Sequence, residues 1–448
     1  MTTSLTPLLR THHFRCLPIL VCSFYIFSAQ AVLAQRLDFA QALALAETQA
    51  SSLKAQSASM QAARALEPAA AELPNPRLNL GVDNLPIARG DPADHLSLTR
   101  DFMTMRQIGW TQDMPNSAKR AARNDMAQAR TAREAAVLNN ERLVVRREAG
   151  LAWLASYFAQ TRLALLSSLE LENQLLQDTT AARLASGKTL SADALLARQE
   201  ALTLADRRDE LTRQVTSSRA SLRRWVGTAV DMPLATEVPF LTVDSDALRQ
   251  QLTHQSDLAA YAPMLALAEA ETREAEAAKT GDWSWGVTYS KRGPAFTDML
   301  SVQLSFELPL RNAQRQDPQI AAKQQEAERI EAQRDDLLKR ITESLTQALA
   351  EDAELQAKRQ RLQTQALPLA QQRIDLLLSS YQAGRAELGA VLAARKELLE
   401  LRLRSVDLQA QQAALRLGMN TRSDASLNNL QTNLPNNQLN NQPMSATP

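Results

Sequence analysis

Residues 117–186 hold no proline and one glycine, Gly150, and consist mostly of Ala, Leu, Arg, Glu and Gln, which are strong helix formers. At 1.5 Å per residue, an unbroken helix of that span is about 100 Å long. No single globular core has a use for such a helix, so the run belongs to a coiled coil or to a tube of helices. A short pleat-like stretch, residues 107–113, and the turn Met114-Pro-Asn116 come directly before it.

The same unit occurs twice. The segment 299–308 is followed by Pro309, by a helical run over about 318–383 and by Gly384. Pro115 and Pro309 lie 194 positions apart, Gly187 and Gly384 197, Gly227 and Gly418 191, and Gly81 and Gly286 205. A duplication of nearly two hundred residues is too long for a solenoid period. It predicts two halves, 35–232 and 233–420, each running helix, strand, strand, long helix, returning helix. The first half should open with a helix over about 37–72, its apolar stripe formed by Ala42, Leu43, Ala46, Leu53 and Ala62, with Pro68 bending or ending it a turn early. Leu73-Pro-Asn-Pro76 must stop it, because proline cannot continue a helix. The returning helix spans 191–225 and is closed by Gly227. The second half opens with a helix over about 257–279. Pro368 should kink the second long helix near its far end.

The two ends of the chain read differently. Arg10, His12, His13 and Arg15 precede an apolar run at 17–27, and Val32-Leu-Ala34 suits a signal peptidase, so residues 1–34 are expected to be a cleaved export signal. Both cysteines, Cys16 and Cys22, lie inside it, which leaves the mature chain without disulfides or thiolate metal sites. Removing Arg10 and Arg15 from the 50 basic residues leaves 48 against 49 acidic ones, a balance that gives no support to nucleic-acid binding. Residues 421–448, rich in Asn and Gln, are expected to be disordered.

No further apolar run approaches the roughly 20 residues of a membrane-spanning helix, so any crossing must use strands. Leu78, Leu80 and Val82 alternate with Asn79, Gly81 and Asp83, and Trp283, Trp285, Val287 and Tyr289 with Ser284, Gly286, Thr288 and Ser290. Residues 105–113 alternate less cleanly. The clearest case is Leu300, Val302, Leu304, Phe306 and Leu308 against Ser301, Gln303, Ser305 and Glu307. Period-two alternation over about ten residues marks a barrel strand with its apolar side toward lipid. A sheet with one buried face gives the same pattern; four such strands in two hairpins on an exported helical chain favour the barrel. Four strands cannot close one, since open edges do not occur in lipid and the smallest bacterial barrels have about eight strands. The barrel must then be shared between copies, for which closed cyclic symmetry is the usual solution.

Several segments resemble the TolC family of outer-membrane efflux channels, and more narrowly its heavy-metal subgroup, typified by CzcC and CusC. They are Leu73-Pro-Asn-Pro-Arg-Leu78 with Asp83-Asn-Leu-Pro86, Gln112-Asp-Met-Pro-Asn-Ser-Ala-Lys-Arg120, Arg146-Arg-Glu-Ala-Gly-Leu-Ala-Trp-Leu154 and Tyr381-Gln-Ala-Gly384. With the duplication, the likeness spans about 37–420. It implies a mainly α fold with a small membrane β-barrel portion: long helical hairpins forming a periplasmic tunnel, and four transmembrane strands per chain in a homotrimer. It further implies an outer-membrane duct, passive and not an enzyme, without cofactor. Its partners would be a periplasmic adaptor and an inner-membrane pump of the resistance-nodulation-division type, with outer-membrane lipid around the barrel.

The resemblance also assigns sites. The turns at the far ends of the hairpins match the family's periplasmic tips, where adaptors dock: Gly187, Leu190 and Ser191 in the first half, Gly384, Arg385, Leu388 and Gly389 in the second. Asp193, Arg385 and Glu387 are the candidates for a pore constriction; Ala390 and Ala393 stand where some relatives carry acidic residues, which speaks against a strongly cation-selective gate. A glycine at a helix end equally serves the left-handed backbone alone. His95 lies with Asp91, Asp94 and Asp101 in a loop that reads as a metal-collecting site or as an ordinary solvated loop. Two other functions fit parts of the sequence: a duct for organic compounds or a secreted protein, and a secreted structural coiled coil. The coiled coil needs no alternating strands.

Overall fold

The computed structural model describes residues 36–87, 98, 103–186, 191–238, 241–293 and 296–421. The expected export signal, the His95 loop and the C-terminal tail beyond Thr421 lie outside the described residues.

The first half comprises α1 (Phe39–Gln49), α2 (Ser51–Ala71), β1 (Arg77–Asp83), β2 (Met105–Met114), α3 (Ser117–Ala185) and α4 (Ser191–Val226). The second half opens with two short helices, α5 (Ser245–Gln250) and α6 (Ser256–Ala259), and a longer one, α7 (Tyr261–Ala277), which enters the second sheet hairpin. That half continues with β3 (Trp283–Lys291), β4 (Met299–Phe306), α8 (Asn312–Arg361), α9 (Leu367–Gln382) and α10 (Leu388–Asn420). The strands form one antiparallel sheet in the order β1-β2-β3-β4. Among the described residues, no helix is long and apolar enough to cross a membrane.

α3 is unbroken over 69 residues. Asn116 caps its N-terminus by accepting a hydrogen bond from Lys119 N at 2.7 Å, which satisfies one of the open donors of the first turn. Midway along it lies the main core. Trp153 is fully buried, stacks on Tyr157 and meets Phe39 edge-on, each at 5.5 Å between ring centres. Its Nε1 donates to Leu37 O at 3.1 Å. Leu37 is itself bridged to Leu234 as a short parallel pair, so the start of the first half is tied to the connection between the halves. Leu222, Val226 and Val230 close the core from one side and Leu417 of α10 from the other. Gly150 has a packing reason: a Cβ there would stand 2.7 Å from Leu417 Cδ2 and 3.1 Å from Phe39 Cζ. Beside this core, Arg416 of α10 grips Asp352 of α8 with two bonds, at 2.7 and 3.0 Å, and also donates to Leu241 O.

Several boundaries differ from expectation. The first helix does not run unbroken over 37–72: Ala50 is extended, with ψ 117°, and divides α1 from α2. α1 buries Ala42, Leu43 and Ala46, but Leu53 is half-buried and Ala62 exposed, because α2 leaves the core and follows the shaft. Pro68 does not break α2; it lies in the last turn, where the carbonyl it leaves unbonded is open to water. The 257–279 helix is likewise divided, at Ala260. The second long helix starts at Asn312, not near 318, with Pro318 tolerated in its second turn. At Pro368, where a kink is expected, the helical path continues with a change of winding. A π-helical turn, Leu362–Ala366, comes directly before α9. Proline lacks an N–H and its ring crowds the carbonyl four residues back; the wider turn absorbs that misfit.

Replacing Trp153 with Phe should cost about 1 kcal/mol through the lost bond to Leu37. Replacing it with Ala should cost about 3–5 kcal/mol through the cavity left in the core. Denaturant unfolding followed by circular dichroism would order the two variants.

Candidate functional site: sheet wall, junction and hairpin tip

The register sorts the sheet residues into two faces. Leu78, Trp110, Val287 and Val302 lie side by side across the four strands, and so do Leu80, Ile108, Tyr289 and Leu300. Toward the helices, Trp285 pairs with Leu304, and Met114 and Phe306 flank Trp283. This apolar face is uncovered: Leu80, Leu300 and Val302 are each about 70% exposed. The other face carries Asn79, Gly109, Thr288 and Ser301 in one row and Arg77, Thr111, Gly286 and Gln303 in the next. There Arg77 pairs with Asp113, and Asn79 donates to Thr111 Oγ1 at 2.9 Å. The weak alternation of β2 has its explanation here, since Gly109 passes beneath Thr288, whose Oγ1 would be 2.8 Å from a Cβ. Four of the five residues expected on the lipid side, Leu300, Val302, Leu304 and Phe306, lie in β4. Leu308 falls beyond its end: the pairing runs one step further, where Glu307 N donates to Asp282 O, and the chain then turns at Pro309.

That turn is part of a junction between sheet and helices. Asn116 Nδ2 donates to Ala277 O and Thr280 O, both at 2.8 Å, while Asn116 N and Lys119 Nζ donate to the Asp282 carboxylate at 3.0 and 2.9 Å. Only glycine fits at 281, because a Cβ would lie 1.8 Å from Glu307 O. The exit from β2 is thereby locked to the entry into β3. Burial works to raise the Asp282 carboxyl pKa, but the bonds from Lys119 and Asn116 and the charges of Lys119 and Arg123 outweigh it and hold the group below the usual range.

The second hairpin turn is built as the sequence predicts. Gly384 has φ +72°, Gly384 N donates to Tyr381 O, and Arg385 N donates to Ser380 O at 2.8 Å. This is the paired closure that left-handed glycine allows after a helix. Leu388 is fully buried and anchors the start of α10, so its side chain is not part of the exposed tip face. Gly389 faces Leu196 of α4, whose Cδ1 would be 3.9 Å from a Cβ, which brings the two hairpins together. Arg385 and Glu387 are exposed, and neither forms an ion pair among the described residues. Asp193 lies in the first turn of α4, two residues after Ser191. Gly187 and Leu190 lie outside the described residues. What the sequence reading missed is the junction; an Asn directly after Met114-Pro and an Asp directly before Trp283 were its only signals.

No protein-family model and no curated protein matches the sequence. Solved structures do. The fold is similar to that of CusC, with a TM-score of 0.73 and 16% identity over 87% of this chain and 95% of that one. It is also similar to the outer membrane protein VceC of Vibrio cholerae, with a TM-score of 0.70 and 18% identity over 85% and 94%. The CmeC outer membrane channel of Campylobacter jejuni gives a TM-score of 0.71 and 11% identity, over 88% of each chain. The chain therefore has the fold of these outer-membrane proteins, mainly α with one small antiparallel sheet.

A carboxyl depressed by folding contributes stability that is complete above its unfolded value, 3.8 for Asp282, and is lost as pH falls through the folded one. Acid titration of unfolding should show this loss below the ordinary carboxylate range, and Asp282→Asn should flatten that part of the profile.

Proposed function

We propose that the chain is the outer-membrane channel subunit of a tripartite efflux system, a passive exit duct for heavy-metal cations. A pump of the resistance-nodulation-division type and a periplasmic adaptor would deliver the cargo. The observation that carries this reading is the sheet: its apolar face is continuous across all four strands and uncovered, while β1 and β4 each keep an unpaired edge. In water such a face would aggregate and such edges would seek partners. In lipid the face is satisfied, and the edges are satisfied once β4 of one copy pairs with β1 of the next. Three copies give a closed barrel of twelve strands, the homotrimer that the family resemblance implies. The indole of Trp283 and the phenol of Tyr289, toward opposite ends of β3, suit the interfaces of such a barrel. The helical hairpins would continue it into the periplasm. Among the similar structures, CusC, described as a transmembrane channel, supports the channel reading; the heavy-metal cargo rests on the sequence segments that resemble the CzcC and CusC subgroup. A duct for organic compounds is the competing outcome.

Leu304 and Ser305 give the direct test, being neighbours on opposite faces of β4. Leu304→Arg should block membrane assembly, at about 2–4 kcal/mol per copy if it lies at the bilayer midplane. Ser305→Arg should give a normal trimer by light scattering in detergent. Equal behaviour of the two variants would remove the lipid-facing assignment.

At the other end, the two turns would form the adaptor-docking tip. Asp193, Arg385 and Glu387 are its charged candidates for holding the tip closed, and Gly187, Leu190, Ser191, Gly384, Arg385 and Gly389 its docking surface, with Leu388 as the anchor beneath. Gly389→Arg adds bulk where the chain itself leaves room. It should abolish metal resistance in cells while leaving the trimer and its membrane insertion intact. Full resistance in that variant would move docking elsewhere.

A further inference from the structure

The apolar face of the sheet ends in positive charge. Beyond the row of Leu80, Ile108, Tyr289 and Leu300, the next residues on the same face are Val82, Arg106 and Lys291, and the register sets Arg106 directly opposite both Val82 and Lys291. Lys291 stands two residues, about 7 Å along the strand, beyond Tyr289. This is the end of the sheet away from the helices, which join the strands at Arg77, Met114, Trp283 and Phe306. Arg292 follows Lys291 and adds a third cation at the same end.

Like charges directly opposite on neighbouring strands repel, so Arg106 and Lys291 call for a counter-charge. Among the described residues none of Arg106, Lys291 and Arg292 forms an ion pair, and the Nε atoms of Arg106 and Arg292 are both shielded from water without a hydrogen-bond partner. Two acids stand at the same end, but neither serves. Asp83 alternates with Val82 and so lies on the opposite face of the sheet, and Asp298 accepts the hydrogen bond of the Tyr289 phenol. Elsewhere in the sheet and its junction the arginines are paired, Arg77 with Asp113 and Arg123 with Glu274. A shielded guanidinium nitrogen without an acceptor has lost its hydration with no bond in exchange. An anion with several oxygens would satisfy the nitrogens and separate the like charges at once.

We propose that Arg106 and Lys291, with Arg292 beside them, bind the phosphate of a lipid headgroup in the outer leaflet, that of a phosphorylated glycolipid such as lipopolysaccharide. The proposal rests on the channel reading above, which turns this face to lipid and this end away from the periplasm. Position and chemistry then agree. A phospholipid or glycolipid carries its phosphate directly above its acyl chains, and this face carries two cations directly above an apolar row. The planar guanidinium of Arg106 can take two phosphate oxygens together, while Lys291 acts as a point charge. A free phosphate ion would make no use of Leu80, Ile108 and Leu300, which lie uncovered beneath the cations.

The test uses the full chain purified in detergent and immobilised for surface plasmon resonance, with lipopolysaccharide and its dephosphorylated form as the two probes. The phosphorylated form should bind about tenfold more tightly or better, the scale of one hydrogen bond to a charged group. Arg106→Gln with Lys291→Gln should lose that preference. Lys54→Gln with Lys339→Gln, which removes the same charge from exposed helix positions, should keep it. Inorganic phosphate should not displace the glycolipid; displacement would make this a site for the free ion and overturn the lipid assignment. Equal binding of the two probes by the unmodified chain, or an unchanged preference in the Arg106 and Lys291 variant, overturns the site. A trimer by light scattering in the same sample then leaves the channel reading standing. If the unmodified chain is instead a monomer that stays soluble without detergent, the channel reading falls and the site with it.

Discussion

A helix of 69 residues has far more surface than one core can cover, and most of the structure follows from how α3 is held along that length. It is fastened in three places by different means. At the sheet end the fastening is polar, through Asn116, Lys119 and Asp282. At mid-length it is apolar and aromatic, through Trp153 and Phe158. Toward the far end Leu166 joins Leu204, Leu211, Leu399 and Leu403 in a smaller cluster shared with α4 and α10. Between these points α3 is accompanied by other helices, and ion pairs such as Arg123–Glu274 and Arg162–Asp407 set lateral register. Pairs that exposed contribute little stability, so the three clusters carry most of the load.

The pattern of the sheet was legible in the sequence because alternation is a direct image of a pleated backbone with two unlike faces. β4, which has no glycine, was the clearest, and β2 was blurred by Gly109. The turn at Gly384 was legible for a similarly local reason, since the left-handed conformation tolerates few other residues. The break at Ala50 was not. Alanine is the best helix former, and nothing local interrupts the chain there. It arises because α1 must turn into the core around Trp153 while α2 must follow the shaft, a demand made by partners distant in sequence. The break at Ala260 does have a local signal, Pro263 in the first turn of α7, which has no N–H to offer the carbonyl of Ala259. Pro68 and Pro318 misled in the opposite direction, each lying near a helix end where one missing hydrogen bond costs little.

At the candidate site the sequence indicated which residue types lie at the tip but not which point outward. Leu388 and Gly389 are neighbours, yet the first is buried beneath the turn and the second faces the other hairpin. The junction was almost silent in the sequence. Asn116 reads as an ordinary helix cap, and its second role, reaching carbonyls some 160 residues further on, appears only once the two halves are side by side.

Identities of 11–18% accompany TM-scores of 0.70 and above across CusC, VceC and CmeC. The kind of constraint involved accounts for that combination. An alternating strand needs one apolar and one polar face, and a long helix needs its packed sides at spacings of three and four; neither needs a particular side chain. Residue identity is demanded at only a few places, such as Gly281, where any Cβ would collide with the backbone of Glu307, and Gly384, with its left-handed φ. The duplication makes the same point within one chain: α7 meets its neighbour through Glu274, while the counterpart position on α2 is Ala69. One backbone plan accepts both, because the plan is written in spacing and volume more than in chemistry.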